Sequence, residues 1–151
     1  VVSAGRAVPW KGFALLREVA EELQKVEPSL KLKVLTNAPR QQVLQYLAAA
    51  DAFVLNTGYE GFPHVILEAM NFSVPVITTR VCGNPEIIEH GRNGLLIDYN
   101  DREQLKSAIL RVLHEPELRS VFARAAQETL KKFSTEAMLK QTEEVLHECA
   151  S

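Results

Sequence analysis

The sequence has 151 residues, of which 46% are hydrophobic and 24% are charged, and its formal net charge is −2. This size and composition predict one globular domain with a substantial core and leave no room for a second full domain. Because the 17 basic and 19 acidic residues are interspersed, the sequence lacks the basic stripe that duplex nucleic acid requires, and we expect no nucleic-acid partner.

Cysteine usage and hydropathy predict a cytoplasmic protein. Cys82 and Cys149 lie far apart with no histidine at ligand spacing, so neither a disulfide framework nor a zinc site is indicated, and we interpret both as reduced thiols. No apolar run approaches the length of a membrane span, and residues 1–5 do not resemble a signal peptide. The chain begins inside a predicted strand, as if it belonged to a longer parent, whose membrane association is left open.

Short apolar runs alternate along the chain with amphipathic stretches. The runs predict strands over residues 1–4, 32–35, 52–55, 74–78 and 94–97. Helices are predicted over residues 12–26, 39–49, 116–132 and 134–149, and from a cap at Asp101 through Val112. This order predicts an α/β fold, a Rossmann-like parallel β-sheet flanked by helices and joined by right-handed crossovers.

The loop after the first predicted strand, residues 5–12, carries two cations. Arg6 has a planar guanidinium and Lys11 a compact ammonium, and both suit phosphate oxygens. The loop lacks the glycine spacing of a dinucleotide fingerprint or a Walker A loop, so neither a dinucleotide cofactor nor ATP is indicated. Taken alone, both residues fit solvated loop charges better than a binding site, but their place at the sheet edge raises the weight of a diphosphate site.

The strongest local signal is residues 59–70, which follow the third predicted strand and enter a helix. The backbone amides of a first helical turn attract phosphate, Gly61 permits a close backbone approach, and Pro63 suits the first helical position. Carboxylates beside a phosphate make best sense as acceptors for sugar hydroxyls, which makes Glu60 and Glu68 candidates for binding a sugar nucleotide. The alternative is that both are ordinary surface residues. His64 has no partnered nucleophile, and we assign its side chain no catalytic role.

A third loop, residues 82–89, again sets a glycine before a helix with Pro85 near its start. Glu89 is interpreted as structural, whereas Glu86 remains a candidate for function. No serine, cysteine or metal-binding cluster has the spacing expected of nucleophilic or metal catalysis, so we expect no metal and no cofactor.

Taken in order, these segments resemble the C-terminal lobe of retaining glycosyltransferases of the GT-B fold (glycosyl transferases group 1), the group related to glycogen synthase, sucrose synthase and bacterial mannosyltransferases. Glu60 and Glu68, with seven residues between them, match its paired-glutamate motif. The other matching segments are Gly5, Arg6, Pro9, Lys11 and Gly12, and residues 46–55, 74–77, 83–88 and 91–96.

The resemblance implies a role for each candidate residue. Arg6 and Lys11 would hold the donor diphosphate and Glu60 would contact the donor sugar, which makes these three the predicted catalytic residues. Glu68 would bind the ribose, and backbone amides near residues 63–65 would assist. The predicted donor-binding residues are Gly5, Gly61, Phe62, Pro63, His64, Val65 and Glu68, and the expected donor is a UDP- or GDP-linked sugar.

Two departures from the family pattern affect these expectations. Relatives usually carry a further helix and strand, which help to grip the nucleotide base, between the positions of Val34 and Thr36, and this segment is missing here. It is either a natural deletion or a junction across residues left out of the sequence, and we favour the junction because a deletion would remove a sheet strand. Cys82 stands where a second glycine is common.

The resemblance also implies a missing partner. In this architecture an N-terminal lobe supplies the acceptor site, so residues 1–151 are expected to form a single donor-binding domain without it. Two alternatives stay open: a GT-B relative with other chemistry, such as a sugar-nucleotide epimerase or a phosphorylase, and a catalytically silent sugar-nucleotide-binding or assembly module.

Overall fold

A computed structural model describes residues 1–149, apart from the side chains at positions 135, 141, 144 and 146–149. Its strands are β1 Val2–Gly5, β2 Lys33–Thr36, β3 Phe53–Leu55, β4 Val76–Thr79 and β5 Leu95–Ile97. Its helices are α1 Phe13–Gln24, α2 Arg40–Ala48, α3 His64–Asn71, α4 Asn84–Ile87, α5 Arg102–His114, α6 Pro116–Lys132 and α7 Thr135–Cys149. Cys82 is an exposed free thiol, whereas the prediction for the Cys149 thiol lies outside the described residues.

The five strands form one parallel sheet in the order β2-β1-β3-β4-β5. The predicted α/β class and the parallel sheet with flanking helices are therefore confirmed. The predicted start of β4 was two residues early, because the Val74 N–H donates to the Ala69 carbonyl and still belongs to the turn that ends α3. Pro75 follows and has no N–H to donate.

Successive strand residues point to opposite faces of the sheet, because a strand has a period of two residues, and they contribute to one apolar layer on each face. Phe53 and Leu55 point to the face covered by α2 and α3, where they pack with Leu47 and Met70. Val54 lies between them and points to the opposite face, which α1 and α5 cover. Both faces of the sheet are thus buried, which explains why its strands are apolar almost throughout.

The helix start predicted at Asp101 is confirmed, since its carboxylate accepts a hydrogen bond of 2.9 Å from the Gln104 N–H. Ser134 caps α7 in the same way, with its hydroxyl oxygen 3.1 Å from the Ala137 N–H. Pro63 was assigned wrongly by one position, because it is the N-cap of α3 and the helix begins at His64.

Removing the Asp101 cap should weaken the domain measurably. Asp101→Ala is expected to lower the free energy of unfolding by about 1 kcal/mol, because the first turn of α5 would lose an acceptor for its amides. Ser107→Ala is the matched control, since Ser107 is exposed on the same helix. Chemical denaturation of both variants measures the difference, and an equal loss at the two positions would contradict the capping role.

Within the described part of the chain, no helix is both long enough and apolar enough to cross a membrane.

Candidate functional site

The strand order places a crevice at the carboxyl edge of the sheet. The chain moves from β1 outward to β2 and then returns to β3 on the other side of β1. The loops that follow β1 and β3 therefore leave the sheet in opposite directions, and such a switch point is where open α/β sheets bind ligands. The loop after β1 carries the two cations, and the loop after β3 carries Glu60 and leads into α3, which carries Glu68.

A cavity of about 370 Å³ lies at this switch point. Nine of the predicted site residues line it: Gly5, Arg6, Lys11, Glu60, Phe62, Pro63, His64, Val65 and Glu68. The two cations and the two glutamates thus converge on one space, while the roles assigned to them stay predictions. Gly61 is not among the lining residues. Sequence reasoning missed several others, namely Ala4, Leu35, Asn37, Ala38, Arg40 and Val43.

Lys11 and Glu60 form an ion pair inside the cavity. The Lys11 ammonium donates to Oε2 of Glu60, and the two side chains are only 8% and 20% exposed. A charge that is withdrawn from water needs a partner of opposite sign, and each residue supplies it for the other. An anionic ligand that enters the cavity would therefore find Lys11 already oriented and would share it with Glu60.

The loop that carries Lys11 is held at Gly12, whose φ of 56° lies in the left-handed region. A Cβ at this position would lie 2.4 Å from the Asn56 carbonyl oxygen, so the close approach requires glycine. The buried Asn56 side chain donates to the Gly12 carbonyl at 3.3 Å and to Oδ1 of Asn100 at 3.1 Å. Asn56 therefore ties the loop after β1 to the segment that follows β5.

Glu68 also has an internal cation. The Arg40 Nε donates to Oε1 of Glu68 at 2.7 Å, where Arg40 is 77% exposed and Glu68 19%. Arg40 is the first residue of α2 and comes four residues after β2 ends. The structure runs β2 without interruption through Val34 to Thr36, and the short connection that follows brings Asn37 and Arg40 to the cavity.

The N-terminus of α3 offers fewer amides than the sequence implied. Pro63 has no N–H, and the His64 N–H donates to the Phe62 carbonyl at 3.0 Å. No acceptor in the described part of the chain takes the Val65 N–H. Val65 therefore supplies the first-turn donor that remains available to a ligand in this cavity.

Two glycines near the cavity, Gly61 and Gly83, differ in how much space a side chain would have. A Cβ at Gly61 would meet nothing within 4 Å, whereas a Cβ at Gly83 would lie 1.8 Å from the Gly61 carbonyl oxygen. The position that requires glycine is therefore Gly83, where the loop after β4 packs against the loop after β3. Cys82 has a φ of 48°, which is the left-handed conformation that glycine adopts more readily.

The remaining candidates lie away from this cavity. Glu89 forms an ion pair with Arg92 at 2.7 Å, in keeping with its structural interpretation, and Glu86 is exposed outside the cavity lining. Among the residues that the structure describes, no group of three or more histidine, cysteine, aspartate or glutamate side chains is placed to hold a metal ion.

Comparison with known proteins supplies the family. The model for the family described as "Glycosyl transferases group 1" matches residues 27–129. N-acetyl-alpha-D-glucosaminyl L-malate synthase of Bacillus anthracis is 33% identical over 117 residues, covering 77% of this chain and 31% of that protein. Lipopolysaccharide core biosynthesis glycosyltransferase LpsE of Rhizobium meliloti is 31% identical over 162 residues, covering 91% of this chain and 46% of that protein.

These alignments show how the length of this chain compares with the lengths of its relatives. The chain spans about a third to a half of the curated relatives that it matches here. The alignment with LpsE is 162 residues long although this chain has 151, so LpsE carries residues inside the aligned region that have no counterpart in this chain. The position proposed for the missing segment, between Val34 and Thr36, stays a prediction.

Solved structures agree on the fold. A crystal structure of a mutant of S. aureus TarM, in complex with Fondaparinux, alpha-GlcNAc-glycerol and UDP, superposes with a TM-score of 0.82 at 25% identity, covering 95% of this chain and 34% of that chain. The C-terminal domain of a glycosyl transferase group 1 family protein (LpcC) from Francisella tularensis superposes with a TM-score of 0.73 at 23% identity, covering 87% and 84%.

Proposed function

This chain belongs to the glycosyl transferases group 1 family, and we propose that it is the donor-binding domain of a retaining glycosyltransferase that moves a sugar from a nucleoside diphosphate sugar to an acceptor. One observation carries the proposal: two cations from the loop after β1, Glu60 from the loop after β3 and Glu68 from α3 line one cavity at the switch point of the sheet. UDP in the TarM complex supports a uridine nucleotide as the ligand of this fold. The candidate donors are UDP- and GDP-linked sugars.

The diphosphate would lie against the cations. Lys11 is buried and already oriented by Glu60, and Arg6 is exposed at the end of β1, where its guanidinium can reach phosphate oxygens. The Val65 N–H at the start of α3 adds a donor whose direction is fixed by the helix. Together these groups would offset part of the negative charge of a diphosphate without a metal ion.

The same groups would act on the chemical step. When the bond between the sugar and the diphosphate breaks, negative charge grows on the departing phosphate oxygen. Donors that are oriented beforehand stabilise this charge more in the transition state than in the ground state, which is electrostatic catalysis. Glu60 would accept a hydrogen bond from a hydroxyl of the donor sugar, and Glu68 would accept one from a hydroxyl of the ribose. Retention of configuration rests on the family resemblance.

Transfer would require a second lobe. The chain spans 31% of the B. anthracis relative, and we propose that the rest of the parent supplies the acceptor site and closes over the donor. We therefore expect the chain by itself to bind nucleotide weakly and to transfer no sugar. An assay of the purified chain with labelled donor and a panel of acceptors checks this expectation, and measurable transfer would overturn it.

Calorimetric titration tests the proposed ligand directly. UDP, GDP and ADP are titrated in turn into the chain, and the tightest binder is then compared with its sugar-linked forms. We expect either UDP or GDP to bind, and Lys11→Met to weaken that binding because the side chain keeps its bulk but loses its charge. Absence of binding by all three would contradict the proposal and favour a silent assembly module.

A further inference from the structure

The carboxylate of Glu68 is held in place before any ligand arrives. Arg40 reaches from the first turn of α2 to α3 and donates from Nε to Oε1 of Glu68 at 2.7 Å. The second oxygen, Oε2, has no hydrogen-bond donor in the described part of the chain. Glu68 is 19% exposed and lines the cavity, so the hydrogen-bonding capacity of Oε2 is left for a ligand hydroxyl.

The Glu68 side chain borders two cavities and could point into either of them. Besides the cavity already described, Glu68 lines a second and larger one of about 880 Å³. Arg40, His64 and Glu68 line both, so they form the wall between the two. Half of the residues that line the second cavity are apolar, namely Leu44, Leu67, Phe72, Leu130 and Phe133. A glutamate side chain has several rotamers, and without an anchor Glu68 would divide its time between the two spaces.

We propose that Arg40 is a positioning residue, which holds Glu68 so that its second carboxylate oxygen receives the ribose of the donor nucleotide. This inference rests on the proposed function, because it needs a nucleotide in the cavity. Arg40 acts on the ribose through Glu68 and does not touch the nucleotide. Fixing the rotamer in advance removes an entropic cost that binding would otherwise meet, which is the general effect of preorganisation.

The size of the effect follows from the exposure of the pair. Arg40 is 77% exposed, so its interaction with Glu68 is screened by water and is worth at most about 1 kcal/mol, a factor of about 5 in an equilibrium constant. The loss must appear in the recognition of ribose hydroxyls and leave the contribution of the diphosphate unchanged.

The experiment measures a ratio of dissociation constants by calorimetry. The nucleoside diphosphate that binds best is compared with its dideoxyribose analogue, which keeps the base and the diphosphate but lacks the ribose hydroxyls. Wild-type protein should prefer the ribose form, and Glu68→Ala should abolish this preference. Arg40→Ala should lower the preference about three- to fivefold, and Arg40→Lys should restore part of it because an ammonium can still donate to Oε1. Gln41→Ala, at the exposed neighbouring position on α2, is the matched control and should change nothing.

Each contrary result has a distinct meaning. An unchanged preference in Arg40→Ala overturns the positioning role. A stronger preference means that Arg40 competes with ribose for Glu68, and an equal weakening of both ligands means that Arg40 touches the diphosphate or the base. Either result also overturns it, as does wild-type protein that shows no preference for ribose. If wild-type protein binds no nucleoside diphosphate, the proposed function itself fails and the inference falls with it.

Discussion

Replacing Lys11 with alanine in a protein that carries both lobes should lower kcat/KM for sugar transfer roughly 10²-fold or more, the loss seen when one oriented donor to a developing negative charge is removed. Lys11 is 8% exposed on its side chain and lies against Glu60. Its loss removes the buried cation and would also leave the Glu60 carboxylate, next to the proposed diphosphate position, without its counter-charge. Repulsion between the two anions would add to the loss of attraction.

Arg6→Ala should produce a loss of the same order, because its guanidinium is the second cation of the cavity. Lys25→Ala is the matched control, since Lys25 is an exposed lysine just beyond the end of α1, and it should leave kcat/KM unchanged. Steady-state kinetics on the three variants make the comparison. Full activity in both Lys11→Ala and Arg6→Ala would refute the assignment of the cations to the diphosphate.

Gly83→Ala should destabilise the domain by about 2–3 kcal/mol, because the new methyl group would overlap backbone in a packed site. Its Cβ would lie 1.8 Å from the Gly61 carbonyl oxygen, and a carbonyl cannot rotate away as the end of a long side chain can. The loops after β3 and β4 would have to separate. Because the first of these loops carries Glu60, nucleotide affinity should fall together with stability.

Gly61→Ala tests the other side of the same contact. A Cβ at Gly61 would meet nothing within 4 Å, so the free energy of unfolding should change by no more than about 0.5 kcal/mol. Chemical denaturation of the two variants at one temperature gives the comparison. Equal stability of Gly83→Ala and Gly61→Ala would show that the two loops do not pack as described.

Much of the fold follows from local sequence patterns. The spacing of apolar residues predicts the strands and the amphipathic helices. Asp101 and Ser134 indicate helix starts because their side chains accept hydrogen bonds from backbone amides of the first turn. The errors in the prediction lie at the ends of strands and helices, where a single hydrogen bond determines which residue begins or ends the element. The Val74 N–H donates to the Ala69 carbonyl, so β4 begins later than predicted. Nothing in the local sequence around Val74 indicates this hydrogen bond.

The site was predictable only in part, and the reason is distance along the chain. Arg6, Lys11 and Glu60 lie on loops that follow strand ends, and Glu68 lies on the helix that the second of these loops enters. Parallel strands bring those ends to one edge. The pairing between them is not local: Lys11 meets Glu60 across 49 positions, and Arg40 meets Glu68 across 28. Arg40 was missed because no motif surrounds it, although the short connection after β2 was a signal that this segment lies at the same edge.

Mapping of nucleotide binding by NMR tests the central claim, that the ligand occupies the cavity between the loops after β1 and β3. The isotope-labelled chain is titrated with the nucleoside diphosphate that binds best by calorimetry. Shift changes should cluster at residues 5–12, 36–40 and 60–68, with the Val65 amide among the largest because it would donate to phosphate. Changes confined to the opposite edge of the sheet, around Leu30, Lys33 and Tyr46, where a different cavity lies, would contradict the account.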